Sequence, residues 1–554
     1  MNTNKSLKST WERSTTRRFL RWISSWRVLR RFLFGIAVLV TMVFLFYAIE
    51  NWRGNRAWDR YQADAAARGT VGDWKAFVPP PVSDAENFAT TPFLAPLFEF
   101  KSDPGPGESP WRDTNALARA QGFAGDLPYI REQGNWRHGQ RTDLAAYVTE
   151  FETKRASATP GAQPADSEQD RVSTAASLIN LLSDTVPVIE EFRTASERPK
   201  SRFAIRYDQE NPAGILLPHL SVTKRVCQVL KLRALASFEK GDTESGFEDL
   251  RLMFRIAETH REEPFLISQL VRLAETQIAL QVLWEGLADH RFTEPQLVAL
   301  QSNLQEPDIV QGMDHSLRAE RAFGIKIIDW IRAHPDRISM LGFLDGGSGD
   351  GAQAASASVL IRLAPRGWFQ FEKLNYARLF EEYLLPSART RADRVDPVLV
   401  ERQIEELDQV LFLKAGAITE HQFLAKMLLP ALSKVIVKAA YGQCVLSLAD
   451  TACALERFRI SHGSYPEQLQ ELVPQYLEKL PLDVITGDSL IYRRFETGRF
   501  ILYSVGWNQT DDGGQYLLEL SAEKEASGRP SKKTSSSKGL GLEEGDWVWT
   551  QPEA

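Results

Sequence analysis

Two adjacent aspartates near the C-terminus are the residues whose type and spacing most suggest chemistry. Asp511 and Asp512 follow the apolar stretch FILYSVGWNQT and precede Gly513 and Gly514. A hard cation such as calcium needs several oxygen ligands from a flexible loop, and these carboxylates can supply them. The Asp-Asp-Gly-Gly sequence is also a good turn former. The residues alone leave two interpretations open, a metal site at Asp511 and Asp512 or a simple turn.

Histidine, the other common metal ligand and catalytic base, shows no paired spacing. The eight histidines are scattered, and none stands in a His-Glu-x-x-His arrangement. The segment ETHREEP around His260 continues an amphipathic helical pattern, so it is predicted to be a solvated charged face. No Gly-x-Ser-x-Gly elbow or dinucleotide-binding glycine loop occurs. The sequence assigns no catalytic residue and favours a protein without enzyme activity.

An apolar segment near the N-terminus predicts a membrane anchor. Residues 32–49, FLFGIAVLVTMVFLFYAI, form an uninterrupted run without a charged side chain. As a helix this run spans about 27 Å, close to the thickness of a hydrocarbon core. The run exceeds the apolar region of a signal peptide, and small residues do not follow it. Trp52 and Trp58 follow instead, as in an interfacial aromatic belt.

The distribution of charge predicts the orientation of the anchor. Residues 1–31 carry nine Lys or Arg against one Glu, whereas the whole chain has a formal net charge of −6. By the positive-inside rule, residues 1–31 face the cytoplasm and residues 50–554 lie outside it. The basic segment can contact the anionic inner leaflet, so membrane lipid is the expected partner. Nucleic acid is not expected, because the apolar span is attached directly.

The region beyond the anchor is predicted to be a tethered helical domain. Residues 50–110 indicate a juxtamembrane helix, which the prolines from Pro79 stop, followed by a Pro-rich tether. Residues 111–419 indicate a mainly helical domain with a flexible loop at 156–170. The three cysteines are too few for a disulfide framework and are predicted to be small core residues.

A helical pair around residue 241 resembles one unit of a tetratricopeptide repeat. Ala234, Gly241 and Gly246 occupy matching small positions, and Asp242 is a suitable N-cap for the second helix. The unit does not recur at that period, so it predicts a tight helical hairpin with a potential binding surface.

Residues 420–554 combine a long helix with a small β region. Gly463 is placed to cap the helix at its C-terminus. The segments LIYRRF and RFILYSV alternate in polarity and flank ETG, whose Gly498 suits a hairpin bulge.

The order of motifs in this last region resembles the soluble half of the major pseudopilins of type II secretion systems. The motifs are HGSYP, LPLD…TGDSLIYR, FILYSVGWNQTDDGG and GDWVW, over about 100 of the 554 residues. The resemblance implies a calcium-binding loop at Asp511 and Asp512, with Asp546 as a further ligand. The chain lacks the family's prepilin-peptidase site, so it is not expected to polymerise as a pilus subunit. The matching positions are Gly463, Tyr465, Pro466, Leu480, Pro481, Asp483, Gly487, Tyr492, Arg493, Tyr503, Ser504, Gly506, Asp546 and Trp547.

Taken together, these patterns predict a mostly α protein with a single transmembrane helix, a helical extracytoplasmic region and a small C-terminal α+β pseudopilin-like domain. The expected location is a bacterial inner (cytoplasmic) membrane. The expected role is structural or interactive, in the envelope or a secretion apparatus, with envelope or secretion proteins as partners. Two alternatives stay open. One is an envelope enzyme with a site between the helical and C-terminal domains, and the other is a helical ligand-binding adaptor with a groove along the 221–303 hairpins.

Overall fold

The computed structural model describes residues 26–70, 72–101, 109–125, 127, 134–158, 171–305, 307–341, 358–388, 394–413, 421–429, 434–515 and 541–551. The chain is mostly helical, with a small three-stranded sheet near its C-terminus. Residues 1–25 of the basic segment and 159–170 of the expected loop lie outside the described residues. The helices are α1 Trp26–Ala67, α2 Thr114–Gly122, α3 Leu144–Ala158, α4 Arg171–Leu181, α5 Val186–Ser196, α6 His219–Glu239, α7 Thr243–Glu258, α8 Leu266–Ala288, α9 Glu294–Gln305, α10 Ile309–Ala333, α11 Arg366–Leu379, α12 Pro397–Asp408, α13 Phe423–Leu428 and α14 Val435–His462.

The chain divides into two compact units. The first comprises Met1–Gly72, Ile331–Tyr376 and Gly416–Leu424, and the second comprises Asp73–Trp330, Ala377–Ala415 and Ala425–Ala554.

Helix α1 dominates the first unit. Its apolar part has a mean hydropathy of 2.6 and none of it is buried, so the helix is long and apolar enough to cross a membrane. The helix continues past Glu50 and ends at Ala67, where Gly69 adopts a left-handed φ of 67°. Helix α1 therefore ends before Pro79, where the sequence predicts that it stops.

The region of α1 after the apolar run packs closely within the first unit. A Cβ on Gly54 would lie 2.2 Å from the carbonyl oxygen of Gly367, so the two backbones touch. Glu50 binds the guanidinium of Arg53 at 2.6 Å and accepts the indole N–H of Trp368 at 3.1 Å. Trp58, which the sequence predicts to lie in an aromatic belt at the membrane interface, is instead buried in the protein.

The second unit has a helical body centred on α6. This helix packs against α4, α7 and α8. Asp242 caps α7 by accepting the N–H of Ser245 at 3.1 Å, as the sequence predicts. Gly246 permits the tight α6–α7 contact, because a Cβ there would lie 2.3 Å from the ring of Phe238.

The Pro-rich segment after residue 78 is packed rather than extended. Its short 3₁₀ turns bury Phe88, Leu94 and Leu97 completely. The side-chain amide of Asn87 joins this segment to the main chain of Arg202, because it accepts the N–H at 2.8 Å and donates to the carbonyl at 2.9 Å. The burial of these apolar side chains outweighs the extended preference of the prolines, so residues 79–101 do not form the expected tether.

The C-terminal region shares its core with the helical body. Helix α14 packs against α8 and α9 as well as the sheet. It starts at Val435 and ends at His462, and Gly463, with a φ of 79°, provides the predicted C-terminal cap. The strands β1 Ile491–Arg494, β2 Phe500–Ser504 and β3 Trp547–Trp549 are antiparallel in the order β1-β2-β3. Cys227, Cys444 and Cys453 are buried and free, as the sequence predicts.

Candidate functional site

A cleft of about 1010 Å³ opens in the second unit between α6, α8 and α14. Helix α6 contributes Lys224, Gln228 and Lys231, which recur at the spacing of one helical face. Helix α8 contributes a second such face from Leu270 to Gln281. The cleft thus lies along the helical hairpins that the sequence marked as a potential groove.

Basic side chains line the cleft. Among the lining residues that the structure describes there are five cations and no Asp, Glu or His. Within the described parts of the chain, Lys224 and Lys438 form no ion pair. Arg225 is anchored instead, because its guanidinium donates to the carbonyls of Gln121 and Phe123. The cationic residues are Arg137, Lys224, Arg225, Lys231 and Lys438.

The walls of the cleft are apolar, but they carry two buried polar atoms without partners. The hydroxyl of Tyr441 and the amide nitrogen of Gln277 have no hydrogen-bond partner among the described residues. Tyr441 is 4% exposed, and the guanidinium of Arg137 lies 4.9 Å from its ring centre. A buried polar atom without a partner is costly, so a ligand that hydrogen-bonds to these atoms would gain affinity. The apolar lining comes from Leu232, Leu270, Leu273, Ile278 and Leu542.

Lys231 is the most buried cation of the cleft. It is only 6% exposed, and burial lowers its pKa to about 8, although the carboxylate of Glu285 acts in the opposite direction. Glu285 is held by the side-chain amide of Gln281 at 2.8 Å and the main-chain N–H of Thr142 at 3.0 Å. The amide oxygen of Gln281 also accepts the N–H of Trp136 at 2.7 Å, which positions the turn carrying Arg137.

The structure places Asp511 and Asp512 in the loop after β2. Asp511 accepts the hydroxyl of Tyr503 at 3.0 Å and the N–H of Gly513 at 2.9 Å. Asp512 accepts the side-chain amide of Asn508 at 2.9 Å. These bonds are those of a structured turn, and the calcium site at Asp511 and Asp512 stays a prediction.

Asp546, just before β3, binds the same loop. It is 4% exposed and accepts the N–H of Gly514 at 2.7 Å. The pKa of Asp546 is raised to about 6, chiefly by burial; the main-chain N–H groups of Gly514 and Asp512 oppose this shift, and the carboxylates of Asp512 and Asp511 add to it. Gly514 has a φ of 84°, and a Cβ there would lie 2.1 Å from Ile501, so this position requires glycine.

Part of the segment around His260 is buried, in contrast to the solvated charged face that its helical pattern predicts. Helix α7 ends at Glu258, and the following turn directs His260 and Glu263 inward, where both are buried. There they meet His219 and Glu275, which are equally inaccessible. This cluster cannot be recognised from spacing in the sequence, because its members lie on three different elements.

The four buried groups perturb one another. Burial opposes the charge on His260, but Glu275 and Glu263 together raise its pKa to about 10. Burial lowers the pKa of His219, against the effect of Glu263. The pKa of Glu263 is lowered because the two imidazoles outweigh its burial.

No protein-family model, curated protein or solved structure shows significant similarity to the chain. The fold defines a mostly helical protein with an N-terminal helix long and apolar enough to cross a membrane. Its second unit carries a basic, apolar-walled cleft.

Proposed function

We propose that this protein is a membrane-anchored binding protein whose cleft holds a small anionic amphipathic ligand. The observation that carries the proposal is the lining of the cleft, in which five cations surround an apolar wall and no described lining residue is acidic. This proposal corresponds to the helical ligand-binding adaptor among the sequence alternatives.

The chemistry of the lining specifies the ligand. A carboxylate or phosphate group can be bound by Lys231 and Lys438 and accept a hydrogen bond from the Tyr441 hydroxyl. The apolar side chains of α6 and α8 favour an alkyl or ring portion on the same molecule. Since no carboxylate or imidazole lines the described cleft, its composition favours binding over acid–base catalysis.

A fluorescent carboxylate with an alkyl chain, dansylaminoundecanoic acid, tests the proposal on the full-length protein in detergent. We expect saturable binding that weakens on the order of tenfold or more in the Lys231→Met, Lys438→Met double variant. The matched control is Lys240→Met, at the exposed C-terminus of α6 and outside the cleft, which should bind normally. Equal binding by the double variant, or by the neutral amide of the probe, would contradict the proposal.

Membrane anchorage through α1 is part of the proposal, with the N-terminus in the cytoplasm of a bacterial cell and the rest outside. In the first unit the hydroxyl of Tyr47, at the end of the apolar run, donates to the carbonyl of Leu363. Val359, Leu360 and Leu363 are each more than half exposed. Lipid contact at the level of Tyr47 would cover these side chains. Labelling of single cysteines at positions 20 and 113 by a membrane-impermeant maleimide in intact spheroplasts tests the orientation, which requires labelling at position 113 alone.

A second candidate function is docking in an envelope or secretion assembly, as the resemblance to pseudopilins implies. Among the described residues from Val435 onward, Ile460, Leu482 and Phe495 are large apolar side chains that are exposed. A photo-crosslinking amino acid at position 495 in native membranes tests this function. Recovery of pilin-like subunits there, but not from the same group at exposed position 240, would favour docking.

A further inference from the structure

Four buried titratable side chains meet where three helices of the second unit converge. His219 begins α6, His260 and Glu263 lie between α7 and α8, and Glu275 lies on α8. The Nε2 atom of His219 is 2.8 Å from Oε1 of Glu263, and Nδ1 of His260 is 3.3 Å from the same oxygen. The imidazoles are inaccessible to solvent, and none of the four residues lines the cleft.

We propose that this cluster is a binding site for a divalent transition-metal ion, with His219, His260 and Glu263 as ligands. One donor atom from each of these residues lies within 4.8 Å of the others. In a tetrahedral zinc site, neighbouring donors are roughly 3.3 Å apart. The two distances to Glu263 are close to this value. Two imidazoles and one carboxylate favour zinc or another first-row transition metal over calcium or magnesium.

Two neighbouring groups orient these ligands. The second imidazole nitrogen of His260, Nε2, lies 3.2 Å from Oε2 of Glu275. Metal-bound histidines usually donate their other N–H to such a carboxylate, which fixes the tautomer and the ring. This assigns Nδ1 of His260, the nitrogen that faces Glu263, to the metal. Ser268 donates its hydroxyl to the other oxygen of Glu263.

A divalent ion fits the charges of the cluster. With both imidazoles neutral, Glu263 and Glu275 give the buried cluster a charge of two negatives, which a divalent ion balances. Oε1 of Glu275 accepts no hydrogen bond from a described residue, although this side chain is fully buried. Buried charge without compensation is strongly destabilising. The competing arrangement is a metal-free network in which a doubly protonated His260 bridges the carboxylates and one negative charge remains.

The ion has a structural role in this site. It links the start of α6 to the turn after α7, and through His260 it orients Glu275 of α8. Helices α6 and α8 are the walls of the cleft. Metal binding therefore fixes the framework of the cleft without contacting its ligand.

Metal analysis of the full-length protein tests the proposal. The protein is purified in detergent with a tag that contains no histidine, and its metals are measured by inductively coupled plasma mass spectrometry. We expect about one transition-metal ion per chain. His219→Gln and His260→Gln should lose it, whereas His290→Gln should keep it. His290 is a suitable control because it also pairs with a glutamate, Glu456, at 2.9 Å.

A second measurement keeps the test decisive if the ligand variants do not fold. X-ray absorption at the metal edge of the wild-type protein should show nitrogen and oxygen ligands with imidazole scattering and no sulfur. Glu275→Gln, which keeps all three ligands, should weaken metal affinity about 10- to 100-fold. Wild-type protein that contains no metal and melts identically with zinc and with chelator would overturn the proposal, as would sulfur ligation or full metal retention in His260→Gln.

Discussion

Trp284 of helix α8 donates its indole N–H to the main-chain carbonyl of Thr550, 2.6 Å away. The hydroxyl of Thr550 in turn donates to the carbonyl of Trp136. The rings of Trp136 and Trp549 lie 5.2 Å apart. These contacts join the last strand to the helical body within the second unit, so the sheet is part of a shared core.

The Trp284–Thr550 hydrogen bond predicts a stability effect. Trp284→Phe removes the donor and part of a ring that is 1% exposed, so we expect a loss of about 2 kcal/mol in the free energy of unfolding. Thermal unfolding should show a lower melting temperature, and hydrogen exchange should increase in residues 541–551. Trp52→Phe, at a position 61% exposed, is the control and should leave both unchanged. Equal shifts in the two variants would contradict the prediction.

The local features of the fold could be predicted from sequence, whereas the packing of its irregular segment could not. Asp242 and Gly463 cap helices at the expected positions because capping depends on a few neighbouring residues. The Pro-rich segment was expected to be extended, yet Phe88 and Leu94 are fully buried. Burial there depends on partners distant in sequence, such as Phe192, whose ring lies 5.6 Å from that of Phe88.

The candidate sites illustrate the same limit. The helical spacing of Lys224 and Lys231 is visible in the sequence, but the charge of the cleft also depends on Arg137 and Lys438 from other elements. His260 was assigned to a solvated face because its helical pattern continues beyond the observed end of α7. Only the tertiary fold brings it to Glu275.

Gly246 tests the tight hairpin that the sequence indicated. A Cβ there would lie 2.3 Å from the ring of Phe238 and 2.9 Å from the carbonyl oxygen of Ala234. Since both neighbours are buried, Gly246→Ala should destabilise the protein by about 1–3 kcal/mol. Gly122→Ala, where a Cβ meets no atom within 4 Å, is the matched control. The measurement is thermal unfolding, and an unchanged melting temperature for Gly246→Ala would exclude the predicted clash.

Lys231 predicts a pH dependence of ligand binding. Its ammonium form predominates below its lowered pKa of about 8, and the neutral amine predominates above it. Binding of dansylaminoundecanoic acid should therefore weaken as the pH rises through 8. A bound anion raises the pKa, so the decrease should extend to higher pH in the complex. Lys231→Arg, which stays charged, should show a flatter profile between about pH 6.5 and about pH 9.5. If binding decreases equally with pH in the wild type and in Lys231→Arg, a group other than Lys231 causes the decrease.

The loop after β2 predicts a response to calcium if Asp511 and Asp512 bind the ion. Calcium should then raise the melting temperature of the full-length protein, and the chelator EGTA should reverse the effect. The Asp511→Asn, Asp512→Asn double variant should lose the response, whereas Asp488→Asn, at an exposed position outside this loop, should keep it. Identical melts with calcium and EGTA would leave Asp511 and Asp512 as turn residues held by Tyr503 and Asn508.

Asp546 predicts a pH dependence of stability with a defined sign. Its pKa is about 6 in the folded protein, chiefly because it is buried, and about 3.9 in an unfolded chain. The folded state thus binds this proton more tightly, so the stabilisation is complete below about pH 4 and is lost as the pH rises through 6.

Replacement of this carboxyl by an amide tests that sign. Asp546→Asn cannot ionise, but it keeps only one acceptor oxygen for the N–H groups of Gly514 and Asp512. The variant should therefore have a lower melting temperature than the wild type at about pH 4.5. The difference in melting temperature should decrease toward about pH 7.5 as wild-type Asp546 ionises. Asp488→Asn is the control, because Asp488 is exposed and its variant should follow the wild-type profile. A difference in melting temperature that stays constant or increases with pH would show that Asp546 is already ionised in the folded protein at low pH.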